Sequence, residues 1–230
     1  MLARLVCLLV LSCTVFAAAV RAEQARSPYA PVADDPALPR ILIIGDSISI
    51  GYTLGVRDLL KGKANVHRPP TNCGPTTRGL EQLDAWLGTG NWDVIHFNWG
   101  LHDLKHCDDG GVLVAVGEGH QQVPVDQYSK NLEQLVLRLQ RTGAVLIWRN
   151  TTPVPEGAKG RVPADVPLFN QAALAIMQKH GIPTQDMYSS VLPRMEQLML
   201  PKDVHYNENG YQQLAKTVAA IIEEQLAGRE

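Results

Sequence analysis

The sequence predicts an α/β protein, a three-layer α/β/α sandwich around a mainly parallel sheet of about five strands. Three observations lead there. Short apolar runs alternate along the chain with amphipathic stretches of helical period, the pattern of right-handed β-α-β crossovers. No internal repeat interrupts that alternation. At 230 residues the chain can bury one sizeable core and is short for two domains of ordinary size.

The first element reads as a targeting segment. Arg4 supplies a positive start, Leu5 to Val20 is almost wholly apolar, and Val20-Arg21-Ala22 offers a small-residue cleavage site. Residues 1–22 are therefore expected to be a signal peptide, with a retained membrane anchor as the alternative. The apolar stretch is short for a span and lacks stop-transfer charges after it. Residues 23–38, rich in Ala, Pro and Asp, read as an N-terminal extension, and 39–230 as the folded domain.

Within that domain Arg40–Gly45 is an apolar strand that ends in the turn Gly45-Asp46-Ser47, with a helix expected to start near Ser49. Ala64–Arg68 is a second, weaker strand. Thr77–Leu87 places Leu80, Leu83, Trp86 and Leu87 on one helical face, and Asp93–Asn98 is the third strand. The stretch from Gly110 to Val123 lacks core patterning and reads as a loop over the site or a surface insertion. Asp126–Arg141 carries Tyr128, Leu132, Leu135, Val136 and Leu139 at helical spacing, and Gly143 stands where a helix would stop. Ala144–Arg149 is the fourth strand, closed by Asn150-Thr151-Thr152-Pro153. Phe169–Lys179 is helical, Pro183–Met187 is a weak fifth strand, and Asn209–Leu226 is the last helix.

Composition removes several function classes. The formal charge is −2, with acids and bases interspersed, so no nucleic-acid footprint is present. Export, to a periplasm or the medium, would place Cys73 and Cys107 in an oxidising compartment. A disulfide between them is one expectation and two free, partly buried thiols the other. No cofactor motif stands out. His102, His106 and Cys107 with nearby carboxylates form a partial zinc set that lacks third and fourth ligands at a recognised spacing, so no metal is expected.

The chemistry sits at two places far apart in sequence. Ser47 lies just past the first strand, at the carboxyl edge where open α/β sheets do their work. It is a candidate nucleophile or, more blandly, a helix cap. Asp203-Val204-His205 brings a carboxylate and an imidazole onto one short loop. Serine, histidine and acid are the parts of a nucleophilic hydrolase. The segment is not Gly-x-Ser-x-Gly, so the nucleophile elbow of α/β-hydrolases is absent.

Four ordered blocks, spanning Arg40 to the C-terminus, resemble the SGNH (GDSL) hydrolase family. Gly45-Asp46-Ser47-Ile48-Ser49 resembles the nucleophile block. In Asn72-Cys73-Gly74-Pro75-Thr76, Gly74 falls at the position of the oxyanion-hole glycine. Asn98-Trp99-Gly100-Leu101-His102-Asp103 looks like the Gly-x-Asn-Asp block, with His102 in place of asparagine. Asp203-Val204-His205, followed by Gly210-Tyr211, is similar to the block of the catalytic acid and histidine. The resemblance implies a flavodoxin-like sheet and an esterase mechanism without a cofactor. Ser47 would be the nucleophile, His205 the base and Asp203 the orienting acid. The backbone N–H groups of Ser47 and Gly74 and the side chain of His102, or its rival Asn98, would form the oxyanion hole. Asp46 and Asp103 would support them, Asp103 by fixing the tautomer of His102.

Two departures bear on these roles. His102 replaces an amide, and a neutral imidazole still donates one hydrogen bond. The acid of the family stands three residues before its histidine, a position occupied here by Lys202. Asp203 sits two before, so either Asp203 or a backbone carbonyl would orient the ring. The functional expectation is an exported serine esterase acting on short acyl esters, acetyl above all, of carbohydrate or other alcohols, with neither nucleic acid nor stable membrane insertion involved. The alternative is a carbohydrate-binding or accessory protein that keeps the fold without turnover.

Overall fold

The computed structural model describes residues 27–228. The expected signal peptide lies outside the described residues. Five strands form one parallel sheet: β1 (Arg40–Ile44), β2 (Asn65–His67), β3 (Val94–Phe97), β6 (Val145–Arg149) and β7 (Thr184–Gln185), in the order β2-β1-β3-β6-β7. Every pairing is parallel, with Leu42 opposite Ile95 and Ile95 opposite Leu146. Such strands must be joined by crossovers, and helices α1 (Ser47–Leu59), α2 (Thr76–Leu87), α3 (Val125–Gln140) and α4 (Asp165–Lys179) supply them. α7 (Glu208–Ala227) follows the short helices α5 (Met187–Val191) and α6 (Met195–Leu198).

Helices α1 and α7 pack together on one face of the sheet, while α2, α3 and α4 pack side by side on the other. Residues Ile41 to Ile44 are all buried, as a strand covered on both faces requires. Phe97 packs edge-on against Trp99 and Trp148 in the core. Small residues set the spacing of α1 on α7. A Cβ on Gly51 would lie 2.1 Å from the Tyr211 ring, and one on Gly55 would lie 2.7 Å from Ala215, so neither position tolerates a side chain without separating the helices.

The observed strands are one to three residues shorter than the sequence pattern, and α1 starts at Ser47 rather than near Ser49. The stretch from His102 to Val123 contains a small antiparallel ribbon, β4 (His106–Cys107) with β5 (His120–Gln121). His106 N–H donates to Gly160 O at 2.7 Å, which fastens the ribbon onto the loop after β6. Two-residue strands are too short to show a period, so nothing in the sequence announces them.

Cys73 and Cys107 do not form the expected bridge; both are free, buried thiols. Cys73 is pinned beneath the end of β1 by its N–H bond to Gly45 O, and burial pushes its thiol up to about 11. Cys107 belongs to the ribbon, opposite His120. Trp99 is a core side chain 1% exposed.

Candidate active site

The carboxyl ends of the parallel strands share one edge, and the loops leaving it bring the candidate residues together. Ser47 follows β1 and is the first residue of α1. Asp46 caps that helix, its carboxylate accepting from Ile48 N–H at 3.0 Å. The cap holds Ser47 at the helix N-terminus, where its own N–H has no carbonyl within the helix to bond. Capping is the rival role for Ser47 in the sequence, and Asp46 takes that role in the structure.

Two buried arginines lock this turn. Arg68, at the end of β2, donates to Ser49 Oγ at 3.1 Å, to Thr53 Oγ1 at 3.0 Å and to Thr71 O at 3.2 Å. Arg149, the last residue of β6, donates through Nη2 to Asn98 Oδ1 at 2.7 Å and lies 3.9 Å from the Asp46 carboxylate. The side chains of Arg149 and Asp46 are 1% and 4% exposed. Neither arginine stands out in the sequence, although each is a charged residue at the carboxyl end of a strand. That is the one signal that marked them.

His205 arrives from a separate loop. Leu200 N–H donates to His205 O, Asn207 N–H donates to Leu198 O, and Met199 bridges Tyr206, so residues 198–207 close on themselves. Asn207 then caps α7 by accepting from Gly210 N–H. Within the loop Asp203 N–H donates back to Leu200 O across a turn that has Pro201 second and Lys202 third. Lys202 has φ 57° and is the single positive-φ residue other than glycine among the described residues. Proline followed by a positive φ is the geometry of a type II turn, which glycine or asparagine ordinarily fills.

The turn sets the acid two residues before the histidine. Asp203 Oδ1 lies 2.7 Å from His205 Nδ1 and also accepts from His205 N–H at 3.1 Å. Ser47 Oγ lies 2.9 Å from His205 Nε2. A carboxylate can only accept, so Nδ1 carries the ring proton and Nε2 is left as acceptor for the serine hydroxyl. Burial would raise the carboxyl group of Asp203, but the N–H and imidazole of His205 outweigh it and hold the group below the usual carboxylate range. It is thus an anion at neutral pH.

Ser47, His205 and Asp203 open into a cleft of about 490 Å³ whose walls also include His102 and Asn72. The imidazole of His102 faces the cleft. Burial pushes it down to about 4, opposed by Asp46 and reinforced by the cations Lys105, Arg161 and Arg78. At neutral pH it is an uncharged ring with one N–H to give.

Three supporting roles come out differently in the structure. Asp103 does not hold His102. Its Oδ1 accepts from the N–H (2.8 Å) and hydroxyl of Thr76, and burial, opposed by those bonds, raises the carboxyl to about 7. Asn98 is no rival donor, because its amide is spent on Arg149: Nδ2 donates to the carbonyl and Oδ1 accepts from the guanidinium. The N–H of Gly74 is taken by Asn72 Oδ1 at 2.9 Å, so in this conformation a ligand must displace Asn72 to reach it. Asn150, Thr151 and Thr152 are buried and brace neighbouring elements. Asn150 Oδ1, for example, accepts from Met187 and Tyr188 N–H at the start of α5.

His102, His106 and Cys107 do not gather into a metal site. Among the described residues no three His, Cys, Asp or Glu side chains converge on one point.

No protein-family model matches this sequence, and no curated protein matches it either. Solved structures do. An acetyl xylan esterase, AlAXEase, superposes with a TM-score of 0.64 at 13% identity, covering 80% of this chain and 99% of that one. A lipase/acylhydrolase from Enterococcus faecalis gives 0.65 at 18% identity, covering 81% and 96%. An acetylxylan esterase from Geobacillus stearothermophilus gives 0.63 at 16% identity, covering 79% and 93%. At such identities what is shared is the architecture, and this chain has the SGNH hydrolase fold.

Proposed function

We propose that this protein is an exported serine esterase that removes short acyl groups, acetyl above all, from carbohydrate or another alcohol. The observation that carries the reading is the unbroken line of hydrogen bonds from Ser47 Oγ through His205 to Asp203, with contacts of 2.9 and 2.7 Å. Attack by Ser47 Oγ on an acyl carbonyl transfers the hydroxyl proton to His205 Nε2, and the imidazolium is held by Asp203. Collapse of the tetrahedral intermediate breaks the bond to the alcohol, which leaves with the proton from Nε2. Water then repeats the sequence on the acyl-serine and releases the acid.

The developing oxyanion needs donors placed in advance. The N–H of Ser47 at the α1 N-terminus and the N–H of His102 are suited to that task, and Gly74 would join once Asn72 is displaced. The cleft is open enough for a saccharide, and two of the superposing structures are acetyl xylan esterases. Export rests on the N-terminal sequence; among the described residues no helix is long and apolar enough to cross a membrane.

The purified protein should hydrolyse p-nitrophenyl acetate and release acetate from acetylated xylo-oligosaccharides. Saccharide binding with no turnover of either ester would replace this reading by a non-catalytic one. Export predicts that protein recovered outside the cytoplasm begins near residue 23; an intact N-terminus there would refute cleavage.

A further inference from the structure

The cleft around Ser47 is cationic in a chain that, as a whole, is not. Its walls include Lys105, Lys159, Arg161 and Lys202 against a single carboxylate, Asp203, in a protein of formal charge −2. The four cations come from three separate segments: the loop after β3, the loop after β6, and the turn that carries Asp203. Elsewhere several cations are neutralised by partners, as in Arg40–Asp34, Arg138–Asp84 and Lys179–Glu133. In the cleft they are not. Among the described residues the ammonium groups of Lys105, Lys159 and Lys202 have no hydrogen-bond or ion-pair partner, and the one carboxylate is committed to His205.

Arg161 is the most constrained of the four. It is half-buried, and its guanidinium makes only two long bonds, both 3.3 Å, to the carbonyl oxygens of Leu101 and Lys159. Among the described residues no carboxylate lies within ion-pair distance of it, although the charges of Asp46 and Asp203 act on it from farther away, and a cation kept partly out of water without a direct counter-ion costs free energy. A concave wall of unpaired cations also concentrates positive potential on whatever enters. A neutral ester gains nothing from that field, whereas an anionic one is drawn in and held.

We propose that the substrate is an ester on an acidic saccharide, an acetylated oligouronide by chemical class, whose carboxylates sit against Arg161 and the lysines around it. The proposal rests on the serine-esterase reading of the same site. The spread of charge over three segments fits a chain with repeated carboxylates better than one charge on the acyl group.

The test compares kcat/KM for an acetylated oligouronide and an acetylated xylo-oligosaccharide, with mono-p-nitrophenyl succinate and p-nitrophenyl acetate as a second pair that puts the charge on the acyl side. At low salt the oligouronide should lead its neutral counterpart by about tenfold or more, an advantage that shrinks as salt is raised. Arg161→Gln and Lys105→Gln should each cut that ratio, mainly through KM, while Lys216→Gln, exposed on α7, should leave it alone. Equal rates on acidic and neutral saccharides without salt dependence would overturn the proposal and leave the esterase reading standing. A preference for the succinate ester but not the oligouronide would overturn it too, by moving the charge to the acyl side. Failure to hydrolyse any of the four esters would instead remove the serine-esterase reading.

Discussion

The turn carrying Ser47 and the loop carrying His205 meet across 2.9 Å, yet they are built on opposite plans. The serine turn is buried and tied down from within: Asp46 caps the helix, while Arg68 and Arg149 grip it from strands on either side. The histidine loop is open to solvent, with His205 and Asp203 side chains 40% and 46% exposed. It is held by its own backbone bonds and by a lysine in a conformation that suits glycine. One side of the Ser47–His205 contact is therefore fixed by packing and charge, the other by local turn geometry. Damage to the first should register as lost stability, and damage to the second as lost activity.

The largest effect expected is on turnover. Ser47→Ala and His205→Ala should each lower kcat by about 10⁴-fold or more with the melting temperature little changed, because the two side chains act as a unit. Asp203→Ala should cost less, by about a hundredfold relative to Ser47→Ala, since water can solvate the exposed imidazolium in its place. Equal losses for Asp203→Ala and Ser47→Ala would show the loop to be as rigidly specified as the turn.

Arg149→Met should act on the other quantity. It strands the buried Asp46 carboxylate and leaves Asn98 Oδ1 without its donor, so unfolding in denaturant should lose about 3–5 kcal/mol. A midpoint close to that of the unmodified protein would mean that the serine turn holds without its arginine clamp.

His102→Ala should lower kcat by about 10²–10³, the usual cost of one oxyanion donor. His102→Asn should recover much of it, because a neutral N–H remains. The imidazole gains its proton only as pH falls through about 4, so the Asn variant should keep the shape of the rate profile at any pH well above that value. A change of shape near neutrality would show that His102 is titrating there.

The smallest effect is on the loop itself. A left-handed conformation costs a side chain about 1 kcal/mol relative to glycine, while glycine adds unfolded-state entropy that offsets part of it. Lys202→Gly should therefore stabilise the protein by less than about 1 kcal/mol. A clear destabilisation would mean that the packing of Lys202 against Gly157 outweighs the strain.

The same contrast explains what could be read in advance. The apolar runs around Ile41–Ile44, Val94–Phe97 and Val145–Arg149 and the helix carrying Leu132, Leu135 and Leu139 owe their form to periodic burial, so the sheet and its helices were visible as pattern. So was Ser47, because its place after an apolar strand is a matter of topology. The partners of polar side chains were not visible. Asp103 is adjacent to His102 in sequence but turns to Thr76, and Asn98 turns to Arg149. Whether Asp203 reaches His205 depends on a positive φ at a lysine, for which sequence holds no signal. Cys73 and Cys107 were paired by counting and compartment, and neither fixes where two thiols point.

The most direct test of the central claim is covalent labelling of Ser47 by a serine-reactive phosphonate, read by mass spectrometry of the digested protein. A single adduct should appear on Ser47 in the unmodified protein, be absent in Ser47→Ala, and form far more slowly in His205→Ala. An adduct elsewhere, or one that forms at Ser47 as fast without the imidazole as with it, would contradict the account.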